Sequence, residues 1–581
     1  MNNLNDDGNK KSWLRGWRVA ASSVLIVLLL VLAYAAIRFL PESPKTYDTM
    51  EEHFKYGSLG GDLLTGIPVK LWQTMPLVCG QTLKHIAGDR LAPDYLQRVA
   101  FYYGDERDYE TRQALSREGF KALGFLYEAD STGKEKDLPI GMSQRHSLGL
   151  DRTYMNCAVC HTSTVKAAPD ATPTVVLGMP ANLFNLYNFE QFIFECAAEG
   201  RKTRIPQLDF IAEMDSLSDD LGPIDRYLVY PLAIWGIQDA MGFLKNVAGF
   251  SERQPHWGPG RNDTFTNNKI FLYGYDWRSK LPDWWSTGQV NPEGIGTVDF
   301  PSTWLQAKRK QRDDGQPMQL HWDGNNNRVE ERNLNAALAT SSIPPIIDHQ
   351  SLECIERWME TLEPPAYPLP IDSALAEKGK PLYEAYCVDC HGKNGRDFSG
   401  KYVGHVTPLS VVQTDSFRLN NYTRELAVNM GLTYAEQSRD ISAHDCPGDL
   451  SYTPKTGSDG STGPDTYRYQ HYRKTNGYAN SPLDGIWARA PYLHNGSVPT
   501  MIDLLSPASH RPKQFYRGNN LIDTVNLGFV STFSADADGR KFFLYDTAIP
   551  GNGNQGHDGP QFGTDLSLPE KQALVEYLKT F

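Results

Sequence analysis

The sequence predicts a mainly α-helical fold with a large share of coil, divided into more than one domain behind an N-terminal apolar helix. Apolar residues recur at helical spacing in several segments, such as Ser567–Lys579 near the C-terminus. The chain has 49 Gly and 37 Pro among 581 residues, which indicates much irregular structure. A chain of this length exceeds what one hydrophobic core usually supports, so we expect two or three domains.

The N-terminal helix is predicted from an uncharged apolar run, Val19 to Ile37, preceded by four basic residues within residues 10–18. A helix of this length nearly spans a hydrocarbon core of about 30 Å. The preceding positive charges predict a cytoplasmic N-terminus, with the rest of the chain on the periplasmic or extracellular side. Alternatively, the run is a cleaved signal peptide, because Ala33-Tyr34-Ala35 fits a small-residue cleavage site. Both alternatives place the body of the chain outside the cytoplasm.

The chemistry is indicated by two pentapeptides, Cys157-Ala158-Val159-Cys160-His161 and Cys387-Val388-Asp389-Cys390-His391. The pattern C-x-x-C-H is a covalent haem attachment site. On one helical turn, residues three apart share a face, so both thiols can reach one porphyrin and the histidine can bind its iron. A chain of this composition would contain about 0.003 such pentapeptides by chance. We therefore expect two covalently bound haem c groups, in two cytochrome c-like domains.

The four remaining cysteines, Cys79, Cys196, Cys354 and Cys446, are candidates for disulfides in an oxidising compartment. Four thiols allow three pairings, and the sequence does not choose among them. The net charge is −12, and no part of the sequence resembles a basic nucleic-acid-binding face. Both observations argue against a nucleic-acid partner.

The predicted domains are residues 1–40, a cytoplasmic tail with an anchor or signal segment; 41–365, with the first haem motif; and 366–581, a second cytochrome c domain. The later boundary is placed at the proline-rich stretch Glu363–Pro370. We predict short helices and loops over residues 41–150. Further helices are predicted over Ala181–Ala198, Glu330–Thr340, Leu352–Leu362, Ser373–Tyr386 and Ser567–Lys579. The last two are of the kind that cross each other in a small cytochrome c domain.

The proximal iron ligands are predicted to be His161 and His391, and function depends on the sixth coordination position of each iron. His494, in a turn-forming stretch, and His557, in a glycine-rich loop, could each bind the second iron. Met179 lies too soon after His161 to cross a porphyrin, so we interpret it as core packing.

The segment Trp487–Thr500 resembles a signature of the bacterial dihaem cytochrome c peroxidase superfamily. Further segments resemble the rubber oxygenase branch of that superfamily, and these are Gly66–Pro68, Asn156–Thr162, Gly260–Phe265, Asp299–Trp304 and Leu320–Asn326. The resemblance extends from about residue 55 to the C-terminus. Its motifs are more specific for the dihaem architecture than for a substrate. The chain is shorter than we expect for the rubber-cleaving enzymes, so its substrate need not be a polyisoprene.

The resemblance implies an open, oxygen-binding first haem on His161 and a bis-histidine second haem on His391 and His557. His494 would then line the haem edge or bond a propionate. A tryptophan near the two porphyrins is linked to electron exchange in this family, and Trp304 is the candidate here, with Trp322 as the alternative. If His321 lies in the distal cavity, it would favour peroxidase chemistry, whereas an apolar cavity would favour an alkene.

These observations predict a haem-dependent oxidoreductase of the peroxidase or dioxygenase type. Its substrates would be oxygen, peroxide or an unsaturated apolar compound, and a redox protein or small donor would supply electrons. The alternative is a non-enzymatic periplasmic electron carrier in which both haems are six-coordinate. No methionine occupies a persuasive ligand position for the first haem, which favours the enzyme.

Overall fold

The structure is a computed structural model that describes residues 6–39, 42–61, 66–101, 109–202, 206–217, 221–249, 251–266, 294–340, 342, 346–433, 444–448, 450–452 and 471–581. Within these residues the fold is mainly helical, with short strands and long irregular connections. The helices span Asp6–Phe39, Met50–Tyr56, Val69–Val78, Gly80–Ala87, Tyr95–Phe101, Tyr109–Ala122, Leu186–Lys202, Pro206–Leu217, Tyr230–Ala248, Val329–Ala339, His349–Thr361, Ser373–Tyr386, Val388–His391, Leu409–Val412, Phe417–Asn421, Arg424–Thr433, Met501–Leu504 and Leu568–Leu578.

The strands are short and antiparallel, and they span Ser43–Pro44, Ile67–Pro68, Met142–Ser147, Leu150–Met155, Thr162–Val165, Thr174–Leu177, Arg261–Asp263, Thr297–Asp299, Val406–Pro408, His444–Asp445, Ser451–Tyr452, Gly477–Ala479, Gln514–Arg517 and Phe543–Asp546. The largest sheet of the described residues has four strands. Its central hairpin pairs Met142–Ser147 with Leu150–Met155 and leads directly into Cys157. A second hairpin, Thr162–Val165 with Thr174–Leu177, follows His161. The first haem motif therefore lies between two antiparallel hairpins.

The N-terminal helix, Asp6–Phe39, contains a segment that is long and apolar enough to cross a membrane, Ala21–Arg38, with a mean hydropathy of 2.2. The described side chains of this segment are almost all exposed. Ser43 and Pro44 pair with His146 and Arg145. Only a few residues therefore separate the end of the helix from the four-stranded sheet.

Buried apolar side chains form three clusters. The first fills the helical region around Trp72, whose ring stacks on Phe120 with centroids 4.0 Å apart. The second joins residues near the first haem motif, such as Val165 and Trp304, to residues of the C-terminal region. The third contains Phe54 together with residues of the 334–359 and 422–446 segments. The second and third clusters both include residues on either side of the domain boundary predicted near residue 365.

The helices Ser373–Tyr386 and Leu568–Leu578 cross at close range, as expected from their sequences. A Cβ on Gly379 would lie 2.0 Å from the carbonyl oxygen of Ala573, so only glycine permits this approach. The first helix begins at Asp372, whose carboxylate accepts a bond from the Leu375 N–H. The second begins with a capping box between Ser567 and Glu570. These caps fix where the two helices begin, in agreement with the predicted bounds.

Two disulfides select one of the three pairings that the sequence allows. Cys79 is bonded to Cys196 within the first cluster, and Cys354 is bonded to Cys446 within the third. Both join segments about a hundred residues apart, so each closes a long loop of the unfolded chain.

Candidate haem sites

The first motif forms a tight turn over Cys157–Val159. Asn156 caps this turn: its side-chain oxygen accepts a bond from the Ala158 N–H at 2.9 Å, and its amide group donates to the Gly57 carbonyl at 3.0 Å. Neither Cys157 nor Cys160 is part of a disulfide. Burial raises the pKa of the Cys157 thiol to about 12, so it stays protonated at neutral pH. The turn thus presents two intact thiols for attachment.

His161 directly follows this turn and is oriented by a backbone carbonyl. Its Nδ1 lies 2.8 Å from the Pro301 oxygen, which can only accept, so Nδ1 carries the proton. The lone pair of Nε2 is then available for a metal, as in most metal-binding histidines. Burial lowers the pKa of His161 to about 4, which keeps the ring neutral.

The second motif lies on a short helix, Val388–His391, directly after the Ser373–Tyr386 helix. His391 has the same orientation as His161, because its Nδ1 donates to the Ser481 oxygen at 2.7 Å. Burial lowers the pKa of His391 as well. Cys387 and Cys390 are also outside any disulfide. The two motifs differ in backbone structure, but in both the histidine Nδ1 donates to a backbone carbonyl and both cysteines lie outside any disulfide.

His557 faces His391 across a gap. The centroids of the two rings are 6.3 Å apart, and their planes are inclined by 46°. One metal ion between two imidazoles, with metal–nitrogen bonds of about 2 Å, places ring centres roughly 6 Å apart. The spacing thus fits a single iron with His391 on one side and His557 on the other.

The loop that carries His557 is held by a buried arginine. The Arg511 guanidinium donates to the carbonyls of Asn554, Gly556 and His557 at 2.7, 2.8 and 3.1 Å. A Cβ on Gly556 would lie 2.3 Å from the Thr414 nitrogen, so the loop requires glycine where it passes this segment. The His557 Nδ1 is buried without a hydrogen-bond partner, and burial lowers the pKa of the ring to about 3. This histidine is therefore held neutral and ready to bind a metal.

His494 has a different environment. It is buried, its ring stacks on Tyr478 at 4.2 Å, and its Nε2 lies 3.1 Å from the Tyr478 oxygen. The Tyr478 hydroxyl donates to the Asp415 carbonyl, so the histidine is the donor in its own bond to the hydroxyl. No ring contact joins His494 to His391 in the part of the chain that the structure describes. Of the two candidate ligands, His557 is the one placed opposite His391.

Trp304 is fully buried between the segment that follows the first motif and the segment that orients His391. Its indole N–H donates to the Leu177 carbonyl at 2.8 Å. A Cβ on Gly178 or on Gly485 would come within 2.5 Å of the indole, so both neighbours must be glycine. The Gly178 N–H donates to the His161 carbonyl, and Gly485 lies four residues after Ser481. Trp304 therefore contacts the backbone beside both motifs.

His321 and Trp322 lie on a turn over residues 320–326, which is closed by a bridge between Leu320 and Asn326. The Trp322 indole donates to the Asp299 carbonyl at 3.0 Å, two residues before Pro301. His321 has a left-handed backbone conformation, and its Nε2 is buried without a hydrogen-bond partner. Burial, with the charges of Arg418 and Arg332, lowers the pKa of His321 well below its usual value. Burial is the main cause of the lowered pKa of His161, and the charge of Arg332 lowers that pKa further.

A residue that the sequence analysis missed is Glu190, on the Leu186–Lys202 helix. Burial and the Asp263 carboxylate raise the pKa of Glu190 to about 8; burial, followed by the Cys157 thiol and Glu190, raises the pKa of the Cys160 thiol. A carboxyl group with this pKa beside a haem site is a candidate proton donor. A single glutamate in an aromatic helix gives no local signal of this role.

Both sites fit covalent haem c. Each offers two intact thiols on one turn and a neutral imidazole with its Nδ1 already hydrogen-bonded. Cys157, Cys160 and His161 would hold one group; Cys387, Cys390 and His391 would hold the other, with His557 as the opposite ligand.

Residues 477–517 match the family described as RoxA-like, cytochrome c-like. This segment includes Ser481, which orients His391, and Arg511, which holds the His557 loop. The match supports a likeness to the rubber oxygenases and implies covalently bound haem c. It also indicates a haem cytochrome with an oxidoreductase-type function.

Two proteins of Sinorhizobium fredii are similar to parts of this chain, and both are named as uncharacterised. The protein y4iM is 31% identical over 309 residues, which is 49% of this chain and 64% of y4iM. The protein y4iJ is 49% identical over 109 residues, 18% of this chain and 17% of y4iJ. The chain thus spans less than two thirds of the length of either relative.

Proposed function

We propose that this chain is an exported dihaem c-type oxidoreductase, in which the haem at Cys157–His161 activates dioxygen or peroxide and the haem at Cys387–His391 relays electrons. It would be anchored in the inner membrane by residues 19–37. Its substrates would be oxygen, peroxide or an unsaturated apolar compound, with electrons from a redox protein or a small donor.

The observation that carries this proposal is a difference between the two sites. His391 faces His557 at a distance that suits one iron, which supports a six-coordinate electron-transfer haem. In the described residues, no second imidazole forms a ring contact with His161. A site with one protein ligand leaves a coordination position for oxygen or peroxide. This difference favours an enzyme over a carrier with two six-coordinate haems.

The residues around the first motif would orient the iron-binding histidine, provide apolar surroundings and hold a proton near the site. The Pro301 carbonyl holds the His161 ring and makes Nε2 a stronger ligand. Phe125, Phe184 and Val159 line a small, mostly apolar cavity beside the turn. Below pH 8 the Glu190 carboxyl would hold a proton near the first motif, where a proton donor could serve oxidoreductase chemistry. When bound, the haem itself supplies the redox chemistry.

Spectroscopy of the purified full chain tests the proposal. We expect one low-spin component from the bis-histidine site and one high-spin or oxygen-bound component from the first site. His161→Ala should remove only the high-spin or oxygen-bound component, and His391→Ala should remove only the low-spin component. Two low-spin components that both persist in excess peroxide would instead identify an electron carrier. Mass spectrometry that shows no added haem would contradict the proposal altogether.

Turnover assays distinguish the two enzyme types. The chain would be assayed with hydrogen peroxide plus a small electron donor, and separately with oxygen plus a polyisoprene or an unsaturated lipid. Peroxide consumption that requires His161 would identify a peroxidase. Oxygen uptake that depends on the alkene and requires His161 would identify a dioxygenase.

A further inference from the structure

An exposed apolar surface covers one side of the Tyr230–Ala248 helix and the turn before it. Its side chains are between 43% and 76% exposed, and they are Ile224, Tyr227, Leu228, Leu232, Trp235 and Phe243. Leu232, Trp235 and Phe243 follow helical spacing, so they share one face. The opposite face, with Ile234, Ile237 and Met241, is buried in the first cluster. We call the exposed set the 224–243 surface.

This surface begins where the N-terminal helix ends. The Arg38 guanidinium, at the C-terminal end of the apolar segment, pairs with the Asp225 carboxylate. Asp225 lies between Ile224 and Tyr227 in the sequence. The Arg38 carbonyl also lies 3.5 Å from the His146 Nε2, on the four-stranded sheet. If Ala21–Arg38 crosses a bilayer, these contacts place the 224–243 surface at the level where the helix leaves it.

We infer that the 224–243 surface rests in the outer face of the same lipid bilayer that holds the N-terminal helix. The composition fits, because Trp and Tyr concentrate at membrane–water interfaces and aliphatic side chains enter the acyl region. A helix that lies in this boundary buries one face about 5–10 Å deep. Asp239, the single charged residue between Leu232 and Phe243, is tolerated at headgroup depth.

The short connection supports this arrangement over a freely tethered body. Ser43 is already paired with His146, so only residues 40–42 lie between the end of the helix and the first paired strand. Such a connection, together with the Arg38–Asp225 pair, holds the body against the membrane surface. The bilayer would then lie next to the first cluster, which packs around Val159 and the first haem motif. An apolar substrate dissolved in lipid would have a short route to that site.

Site-directed spin labelling of the full haem-loaded chain in phosphatidylcholine–phosphatidylglycerol vesicles tests the inference. Leu228→Cys and Leu232→Cys place a nitroxide on the surface, and Val525→Cys and Leu568→Cys, 64% and 58% exposed in the native chain, are matched controls. Accessibility to oxygen, relative to a water-soluble nickel chelate, should be several-fold higher at 228 and 232 than at the controls. Equal accessibility at all four positions would overturn the inference. Dipolar broadening at 232 would do so too, because it would show a second copy of the chain there.

The labelling experiment depends on the proposed function, because the introduced cysteine is labelled selectively only if the four motif thiols are attached to haem. The unsubstituted chain separates the two questions. If it takes up label at the motif cysteines and not at the four disulfide cysteines, haem attachment has failed. Membrane contact is then read from the difference between its spectrum and that of Leu232→Cys. A difference spectrum with control-like accessibility would still overturn the membrane contact.

Discussion

The position of His557 depends on an unusual backbone conformation and on contacts with Arg511, which is distant in sequence. Its φ of +47° is unusual for a non-glycine residue, and the Arg511 guanidinium holds the carbonyls around it. The sequence analysis left two candidates, His494 and His557, on the residues alone. Only the resemblance to a family favoured His557, and the structure places that ring opposite His391.

His557→Ala should convert the second haem from low-spin to high-spin, because one axial imidazole is removed. His494→Ala is the matched control, and it should leave the second haem low-spin because His494 is bonded to Tyr478. Electron paramagnetic resonance of both variants measures the change. A high-spin signal in His494→Ala and none in His557→Ala would reverse the assignment.

Glu190 predicts a pH dependence of stability. Its pKa is raised to about 8 from an ordinary value of about 4.5, so the folded chain binds this proton more tightly than the unfolded chain. The contribution is fully present below pH 4.5 and is lost as the pH rises to about 8. The side chain of the Glu190→Gln variant cannot titrate. Between pH 5 and 8 the free energy of unfolding should therefore fall less in the variant than in the wild type, and the difference between the two decreases should be on the order of 2–4 kcal/mol. Denaturant unfolding at several pH values measures this, and parallel pH profiles would contradict it.

At the scale of elements, helices were predicted well where local signals agree. Ser373–Tyr386 was predicted with its observed bounds, and Leu568–Leu578 within one residue of each end. The four-stranded sheet before Cys157 was missed, and helices and loops were expected there. Its edge strands have only two residues each and pair with partners some hundred residues away, so no local alternation revealed them.

The segment from Asp299 to Trp304 contacts residues beside both haem sites. Its Pro301 carbonyl orients His161, and its Trp304 packs against Gly178 and Gly485. This placement supports the hypothesis that Trp304 takes part in electron exchange, although Trp322 also contacts the segment through the Asp299 carbonyl.

Trp304→Phe should slow electron transfer between the haems roughly tenfold, because it removes the indole between the two motifs. Its lost bond to Leu177 should also lower stability by about 1 kcal/mol. Stopped-flow reduction, followed at the absorbance of each haem, measures the rate. Trp322→Phe serves as the comparison, and a larger effect there would make Trp322 the relay residue.

At the scale of the whole molecule, the two predicted haem regions share packing across residue 365. The buried Asp484 accepts two bonds from Arg309 at 2.5 and 2.7 Å and one from Arg489 at 3.3 Å. Arg309 precedes the predicted boundary, and Asp484 follows it. The second hydrophobic cluster also includes residues from both sides. We therefore expect the two regions to unfold together, although the boundary itself stays a prediction.

Asp484→Asn should lower the free energy of unfolding by about 3–5 kcal/mol, because two buried guanidinium groups lose their counter-charge. Asp536→Asn, which removes an exposed pair with Arg540, should cost about 1 kcal/mol or less. Chemical denaturation followed at both haems measures the two variants. Equal losses would show that the Asp484 pair does not stabilise the junction.

The sequence by itself determined the features that depend on near neighbours in the chain: two C-x-x-C-H turns, the helices beside the second of them, and an apolar N-terminal helix. Spacings of three and four residues fix which side chains share a face, whatever surrounds them. Only the tertiary structure decided the two disulfide pairings and the position of His557 opposite His391. The same holds for Trp304 between the motifs and for the exposed surface beside Arg38. Each of these joins segments far apart in sequence, and their meeting depends on how the whole chain packs.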